Sequence, residues 1–246
     1  MDRMLYVAMS GAKETLHAQT NTSNNLANAS TTGFLADLQQ FRSMPVFGEG
    51  QPTRVYAMSE RPATDFKHGS VQMTGRDLDV AVAGDGWFAV QANNGDEAYT
   101  RRGDLQIDAN GLITTGNGLP LLGDGGPIAI PPADKITIGA DGTISIVPQG
   151  GDPTQLAVVE RIKMVAPNYD QMEKGLDGLM RLKGGGVAEA DAAQRLIQGA
   201  LASSNVNTVK EMTNMIELQR KFEMQVKMMK AADEMARSSA ALLRRF

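Results

Sequence analysis

The 246-residue sequence contains no cysteine, which excludes disulfides, Cys-based metal sites and cysteine nucleophiles. It has only two histidines, His17 and His68, and neither belongs to a zinc-binding pattern. A P-loop, a complete G-x-G-x-x-G and a G-x-S-x-G elbow are also missing. The sequence therefore predicts no catalytic residue, no metal site and no cofactor.

Aromatic residues and positive charge are scarce as well. Phe, Trp and Tyr make up 5% of the chain, and the formal net charge is −4. The basic residues are scattered and are not interleaved with aromatics, so nucleic acid is not expected as a partner. No apolar run approaches the ~20 residues that a membrane-spanning helix needs, so no membrane span is expected.

The N-terminal residues do not form a cleavable signal, because the apolar stretch 4–9 is interrupted by Ser10 and Gly11. We therefore expect a cytoplasmic chain, or one exported by a route that leaves its N-terminus intact. Methionine is plentiful, with 15 residues. Its adaptable side chain suits irregular interfaces, and a core that tolerates methionine explains the composition equally well.

Helical periodicity marks both ends of the chain. In the first stretch, five apolar residues share one stripe with Gln19 and Ser23; they are Leu5, Met9, Ala12, Leu16 and Leu26. The last stretch follows 3-and-4 spacing from Met212 onward without Gly or Pro, and as a helix it would extend roughly 55 Å. A helix of more than about 25 residues with a narrow apolar seam is typical of a coiled coil or of a helix shared between chains.

The middle of the chain has a β pattern. Glycine and proline are concentrated there, and Asn110-Gly111 and Asp141-Gly142 are strong hairpin signals because these residue types tolerate positive φ. Short β-like runs separate the turns, at 78–82, 87–91, 98–101, 105–107, 112–115, 128–130, 136–138, 143–147 and 156–163. Short strands at this spacing predict an antiparallel β domain.

These patterns predict an α+β fold in which a discontinuous helical coiled-coil domain, formed by both termini, accompanies a central antiparallel β domain. We expect an N-terminal helix in 1–35, an extended connector in 36–75, the β domain in 76–185, and a linker with the C-terminal helix in 186–246. The second helix is longer than the first by over ten residues. Part of its seam is therefore left for other chains, which indicates assembly.

Asparagines cluster near the end of the first helix, where they cost helix stability. Their side chains either bond backbone or neighbouring subunits, or belong to a frayed and solvated helix end. The residues alone leave both interpretations open.

Three separated motifs carry a resemblance to a known family. NNLAN at 24–28 with TTGF at 31–34, GDGWF at 84–88 with YTR at 99–101, and SNVN at 204–207 occur in the order found in the flagellar rod and hook family. Within that family, MDRMLY at 1–6 and EMQVKMMK at 223–230 are most similar to the proximal-rod members. The motifs are highly specific and cover most of the chain.

The resemblance implies a structural, non-enzymatic subunit of the basal-body rod that polymerises through its terminal helices into the drive shaft across the periplasm. Its implied partners are other rod proteins, copies of itself and the flagellar type III export apparatus, which exports the chain without cleavage. We assign axial packing to a seam of apolar residues: Leu5, Leu16, Leu26, Met212, Met215, Phe222, Val226 and Met229. We assign the turn and polar contacts between subunits to Asn24, Asn25, Asn28, Gly33, Phe34, Asn205 and Asn207.

Two other functions are considered. A distal-rod or hook subunit of the same family would differ only in its position along the shaft. A soluble β-domain enzyme or binding protein with helical tails would need a concave site with clustered, perturbed acids. The sequence offers no such cluster.

Overall fold

A computed structural model describes residues 3–45, 55–59, 63–150 and 156–243. The chain divides into two compact units. The helical unit consists of Met1–Ala29, Ala36–Asp65 and Val206–Phe246, and the β unit consists of Ser30–Leu35 and Phe66–Asn205. The fold is α+β, with a helix near each terminus and antiparallel strands between them.

The helical unit is built on two helices, α1 (Arg3–Ala27) and α2 (Thr208–Leu243), which pack against each other. Asn207 caps α2, because its Oδ1 accepts a hydrogen bond from the Lys210 N–H at 3.0 Å. Glu211 in the first turn suits the positive end of the helix dipole. Within the described residues, no helix is both long and apolar enough to cross a bilayer.

Four strands of the helical unit lie within the predicted connector: β1 (Asp37–Leu38), β2 (Phe41–Pro45), β3 (Val55–Ser59) and β4 (Ala63–Thr64). β1 pairs with β4, β2 pairs with β3, and α1 packs against β3. Pro45 at the end of β2 hides this strand from a sequence pattern, although an edge strand tolerates a proline. The connector residues 46–54 and 60–62 lie outside the described residues.

The β unit contains the remaining strands, together with a 3-10 helix at Tyr169–Gln171. In chain order the strands are β5 (Val71–Met73), β6 (Val80–Ala83), β7 (Trp87–Gln91), β8 (Glu97–Thr100), β9 (Leu105–Ile107), β10 (Ile113–Thr115), β11 (Leu122–Gly123), β12 (Gly126–Pro127), β13 (Ala133–Ile138), β14 (Thr143–Pro148), β15 (Ala157–Arg161), β16 (Met164–Val165), β17 (Met172–Lys174), β18 (Met180–Leu182), β19 (Arg195–Gln198) and β20 (Ala200–Ala202).

The strands of the β unit form small antiparallel sheets. The largest has the order β16-β7-β8-β18-β17, and a three-stranded sheet has the order β13-β14-β15. The remaining strands pair as β9 with β10, β11 with β12, β6 with β19 and β5 with β20. The strands therefore continue beyond residue 185, where the sequence pattern placed a linker, since β19 and β20 return to pair with the first strands of the unit.

Eight of the nine predicted β runs overlap a strand. The exception is 128–130, which forms only an isolated bridge, between Leu112 and Ala129, just before two prolines. The predicted Asn110-Gly111 turn separates β9 from β10, and Gly111 has a φ of +82°. The predicted Asp141-Gly142 turn separates β13 from β14.

The core of the β unit consists of two apolar clusters. The larger one gathers side chains from the three-stranded sheet, from β7 and from the neighbouring small strands, with Phe88, Leu105 and Ile144 fully buried. The second cluster surrounds Trp87 and Tyr99 and includes Leu35 from the segment Ser30–Leu35. Leu35 thereby fixes the chain in the β unit shortly after α1 ends.

Candidate assembly surfaces

The C-terminal helix α2 carries two apolar rows. One row is half-buried in this helix, which packs against α1. It contains four of the predicted seam residues: Met215, Phe222, Val226 and Met229. A second set of apolar side chains is exposed; given 100° per residue, most of it lies away from the first row, while Met212 lies beside that row. We call this second set the outer row; its members are Val209, Met212, Ile216, Met224, Met228 and Met235.

The outer row is large for an exposed surface. Each of its side chains is at least 44% exposed, and Val209 reaches 72%. Met212, predicted as part of a single seam, lies in this row. The sequence pattern grouped Met212 with Met215 because residues three apart are neighbours on a helix surface, and it left the other members of the outer row out. The methionines at 224, 228 and 235 are the feature of the sequence that could have revealed the second, exposed row.

The N-terminal helix α1 buries a face of small residues. The buried side chains are Ala8, Ala12, Thr15, Ala18, Thr22 and Asn25, all less than 9% exposed. Of the predicted seam residues, Leu5 and Leu26 are half-buried and Leu16 is 48% exposed. Met9, from the same predicted stripe, is also exposed.

The small face allows α1 and α2 to approach closely. The Thr15 hydroxyl lies 2.8 Å from the Gly11 carbonyl oxygen and 3.1 Å from Oε1 of Gln225 on α2. A Cβ at Gly11 would lie 2.8 Å from Nε2 of Gln225. A side chain at residue 11 would therefore require the Gln225 side chain to shift.

The asparagines near the end of α1 act within the chain. Asn25 is buried; its Nδ2 donates to the Asp37 carbonyl and its Oδ1 accepts from the Asp37 N–H, both at 2.9 Å. Asn28 donates through Nδ2 to the carbonyl of Asn24 at 3.0 Å, within the last turn of the helix. The Asn24 side chain is exposed.

Gly33 holds a position that no other residue type fits. Its φ is +68°, and a Cβ would lie 2.4 Å from the carbonyl carbon of Arg101. Its N–H donates to the Ala202 carbonyl at 2.8 Å. The neighbouring Phe34 ring lies 4.2 Å from Lys174 Nζ, which also donates to the Leu35 carbonyl.

The two C-terminal asparagines of the predicted set also bind this chain. Asn205 donates through Nδ2 to the Lys67 carbonyl at 2.9 Å, and its N–H donates to the Phe34 carbonyl at 3.3 Å. Asn207 caps α2 as described above. The structure thus brings Gly33, Phe34 and Asn205 together in the β unit, whereas Asn25 and Asn207 belong to the helical unit.

Three of the perturbed carboxyls of the β unit close turns. Hydrogen bonds lower the pKa of Asp108, first from the Leu112 N–H, and that of Asp141, first from the Thr143 hydroxyl. The pKa of Asp191 is lowered chiefly by the Gln194 side-chain amide. Each carboxylate bonds within its own turn, so these shifts have a structural cause and do not indicate a shared acid-base site.

Comparison with known proteins identifies the class to which this architecture belongs. Residues 5–34 match the description "Flagella basal body rod protein", and residues 81–146 match "Flagellar hook protein FlgE/F/G D1 domain". Residues 197–242 match "Flagellar basal body rod FlgEFG protein C-terminal". The matches cover α1, much of the β unit and nearly all of α2.

Individual relatives cover the whole chain. Flagellar basal-body rod protein FlgF of Escherichia coli (strain K12) is 43% identical over 249 aligned positions, which cover 99% of each chain. FlgF of Salmonella typhimurium (strain LT2) is 43% identical over 95% of each chain. Flagellar basal-body rod protein FlgG of Bacillus subtilis (strain 168) is 32% identical over 99% of this chain and 100% of its own.

The chain belongs to the flagellar basal-body rod protein family, and within it the chain is close to FlgF. Like its relatives, it is a structural protein of the flagellar basal body and not an enzyme. The resemblance of the separated sequence motifs to the rod and hook family is therefore confirmed.

Proposed function

We propose that the chain is a structural subunit of the proximal rod and that it assembles with copies of itself and with other rod proteins through its terminal helices. The observation that carries this proposal is the outer row of α2, with six exposed apolar side chains on one helix. Full burial of a large apolar side chain contributes about 1.5–3 kcal/mol. A row of this length therefore favours association strongly.

In this proposal α1 and α2 pair as a coiled coil. The half-buried residues Met215, Phe222 and Val226 are packed within the chain, while the outer row meets neighbouring subunits. Phe222 and Met229 become fully buried when further helices surround the pair. Asn24 is the asparagine of the predicted set best placed for contact between subunits, because its side chain is exposed.

The placement in the proximal rod is supported by the identity of 43% to FlgF of Escherichia coli and of Salmonella typhimurium. The proposal includes delivery through the flagellar type III export apparatus to the periplasmic rod, without cleavage. The distal-rod or hook position is the alternative within the same family.

Two substitutions on α2 test the role of the outer row. Met228→Glu places a carboxylate in the row, and Lys230→Glu places one two residues away, on a different side of the helix. Both positions are exposed, so both variants are expected to fold as the parent does. In cells that lack the parent protein, Met228→Glu is expected to abolish rod completion and swimming, whereas Lys230→Glu supports both.

Electron microscopy of isolated basal bodies provides the readout, and urea unfolding of each purified variant checks the fold. Normal basal bodies with Met228→Glu would show that the outer row does not form the interface. Equal failure of both variants would show that any charge on α2 is harmful, which also contradicts the proposal.

A further inference from the structure

A cluster of polar and aromatic side chains in the β unit surrounds Asp85. The Nε2 of His68 lies 2.7 Å from Oδ1 of Asp85, and the Tyr169 hydroxyl donates to the same oxygen at 2.8 Å. The Phe66 ring stacks on the Tyr169 ring, with centroids 4.4 Å apart and planes 17° apart. The segment 66–68 is thus held against the turn before β7 and against the 3-10 helix.

Arg101 also belongs to this cluster and contacts the His68 ring. Its guanidinium is buried, lies 5.0 Å from the centre of the Trp87 ring, and donates through Nη2 to the Gly84 carbonyl at 2.7 Å. Its Nη1 donates to Nδ1 of His68. Among the described residues, its Nε has no hydrogen-bond partner, so the bond to His68 is one of few that a buried cation retains.

These partners determine the protonation of the His68 ring. A guanidinium has only donors, so Nδ1 of His68 must accept and carries no proton. The ring proton is therefore on Nε2, which donates to the Asp85 carboxylate. Only the neutral ring satisfies both contacts. A second proton, on Nδ1, would turn the acceptor into a donor and place two cations against each other.

We propose that His68 is a proton-operated latch, which holds the segment 66–69 on the β unit while its ring is neutral and releases Arg101 when the ring is protonated. The charged and titratable groups that face the ring are Asp85 and Arg101. Tyr169 lies on the far side of Asp85, and Lys67 precedes His68 on the same segment. Tyr169 and then His68, through their hydrogen bonds, lower the pKa of Asp85, so this carboxylate stays ionised at neutral pH.

The latch lies beside another part of the chain that it would influence. The Lys67 carbonyl accepts from Asn205 Nδ2, and the Ser70 carbonyl accepts from the Ser203 N–H at 2.8 Å. The residues that lead to α2 are therefore bonded to the segment that His68 holds.

The composition of the chain provides a direct test. Trp87 is the only tryptophan, and Arg101 lies over its ring, so tryptophan fluorescence of the full chain reports on the latch. Between pH 8 and pH 5 we expect one fluorescence transition. It is expected to disappear in His68→Gln, whose amide does not titrate, and to remain in His17→Gln, which changes the other, exposed histidine on α1.

A second measurement uses the unmodified chain and does not depend on the folding of a variant. Nitrogen-15 NMR at pH 8 is expected to show Nδ1 of His68 without a proton and Nε2 with one. A transition that persists in His68→Gln, the absence of any transition between pH 8 and pH 5, or a proton on Nδ1 at pH 8 would each overturn the proposal.

Discussion

Replacement of Asn25 by alanine tests the contact that joins α1 to the strand after it. Asn25 is 4% exposed and makes two hydrogen bonds of 2.9 Å to the backbone of Asp37. Each lost hydrogen bond costs about 1 kcal/mol, and backbone groups left without a partner away from water cost about 1–3 kcal/mol more. Partial access of water to β1 reduces this sum, so Asn25→Ala is expected to destabilise the helical unit by about 2–4 kcal/mol.

Amide hydrogen exchange measures the effect where it occurs. A loss of about 2–4 kcal/mol corresponds to exchange of the Asp37 N–H that is roughly 30- to 700-fold faster. Urea unfolding gives the global value. Asn25→Asp keeps an acceptor for the Asp37 N–H but buries a carboxylate whose other oxygen faces the Asp37 carbonyl, so a loss at least as large as that of alanine is expected.

Asn24→Ala is the matched control, since it changes the same residue type one position earlier, at an exposed site. Substitutions at such sites are usually within about 0.5 kcal/mol of the parent. If Asn25→Ala is as mild as Asn24→Ala in the isolated chain, the reasoning from the Asp37 contact is refuted. A large loss in the isolated chain would show that Asn25 acts within the subunit, whatever it does in an assembly.

Two further predictions concern the β unit. Gly33→Ala is expected to lower the free energy of unfolding well beyond the about 1–2 kcal/mol that a left-handed alanine costs, because its Cβ would meet the Arg101 backbone. Gly75→Ala, at a similar positive φ but with nothing within 4 Å, is expected to cost only that amount, and equal losses in urea unfolding would contradict the packing argument. Burial raises the pKa of Tyr99 to about 12, above its unfolded value of about 10. The resulting stabilisation is complete below pH 10 and is lost as the pH rises to 12. Tyr99→Phe is therefore expected to flatten the decline of the unfolding free energy over that range. If the variant declines as steeply as the parent, another group causes the loss of stability.

The sequence predicted the two helices and most strands because their signals are local. An uninterrupted run without Gly or Pro specifies α2, and Asn-Gly and Asp-Gly turns separate β9 from β10 and β13 from β14. The strands β19 and β20 were placed in a linker because their pairing partners are more than a hundred residues earlier. No local pattern reports such a partner. The pairing of β2 with β3 was missed because β2 ends in a proline and β3 follows residues that show no alternation of apolar and polar side chains.

The assembly residues were harder to predict for a physical reason. A periodic pattern finds large apolar residues and assumes that they face the nearest partner. In α1 the close approach of α2 favours Ala8 and Thr15, while Leu16 remains exposed. The asparagines show a related case: the partners of Asn25 and Asn205 within the chain are backbone groups that only the folded chain brings near.

The pairing of β5 with β20 and of β6 with β19 has a consequence for the order in which the β unit can form. Val71–Met73 pairs with Ala200–Ala202, and Val80–Ala83 pairs with Arg195–Gln198. A chain that emerges with its N-terminus first therefore cannot close this unit until about residue 202 is free. Contacts of such long sequence separation also close slowly. The topology thus delays the closure of these two strand pairs until most of the chain has emerged.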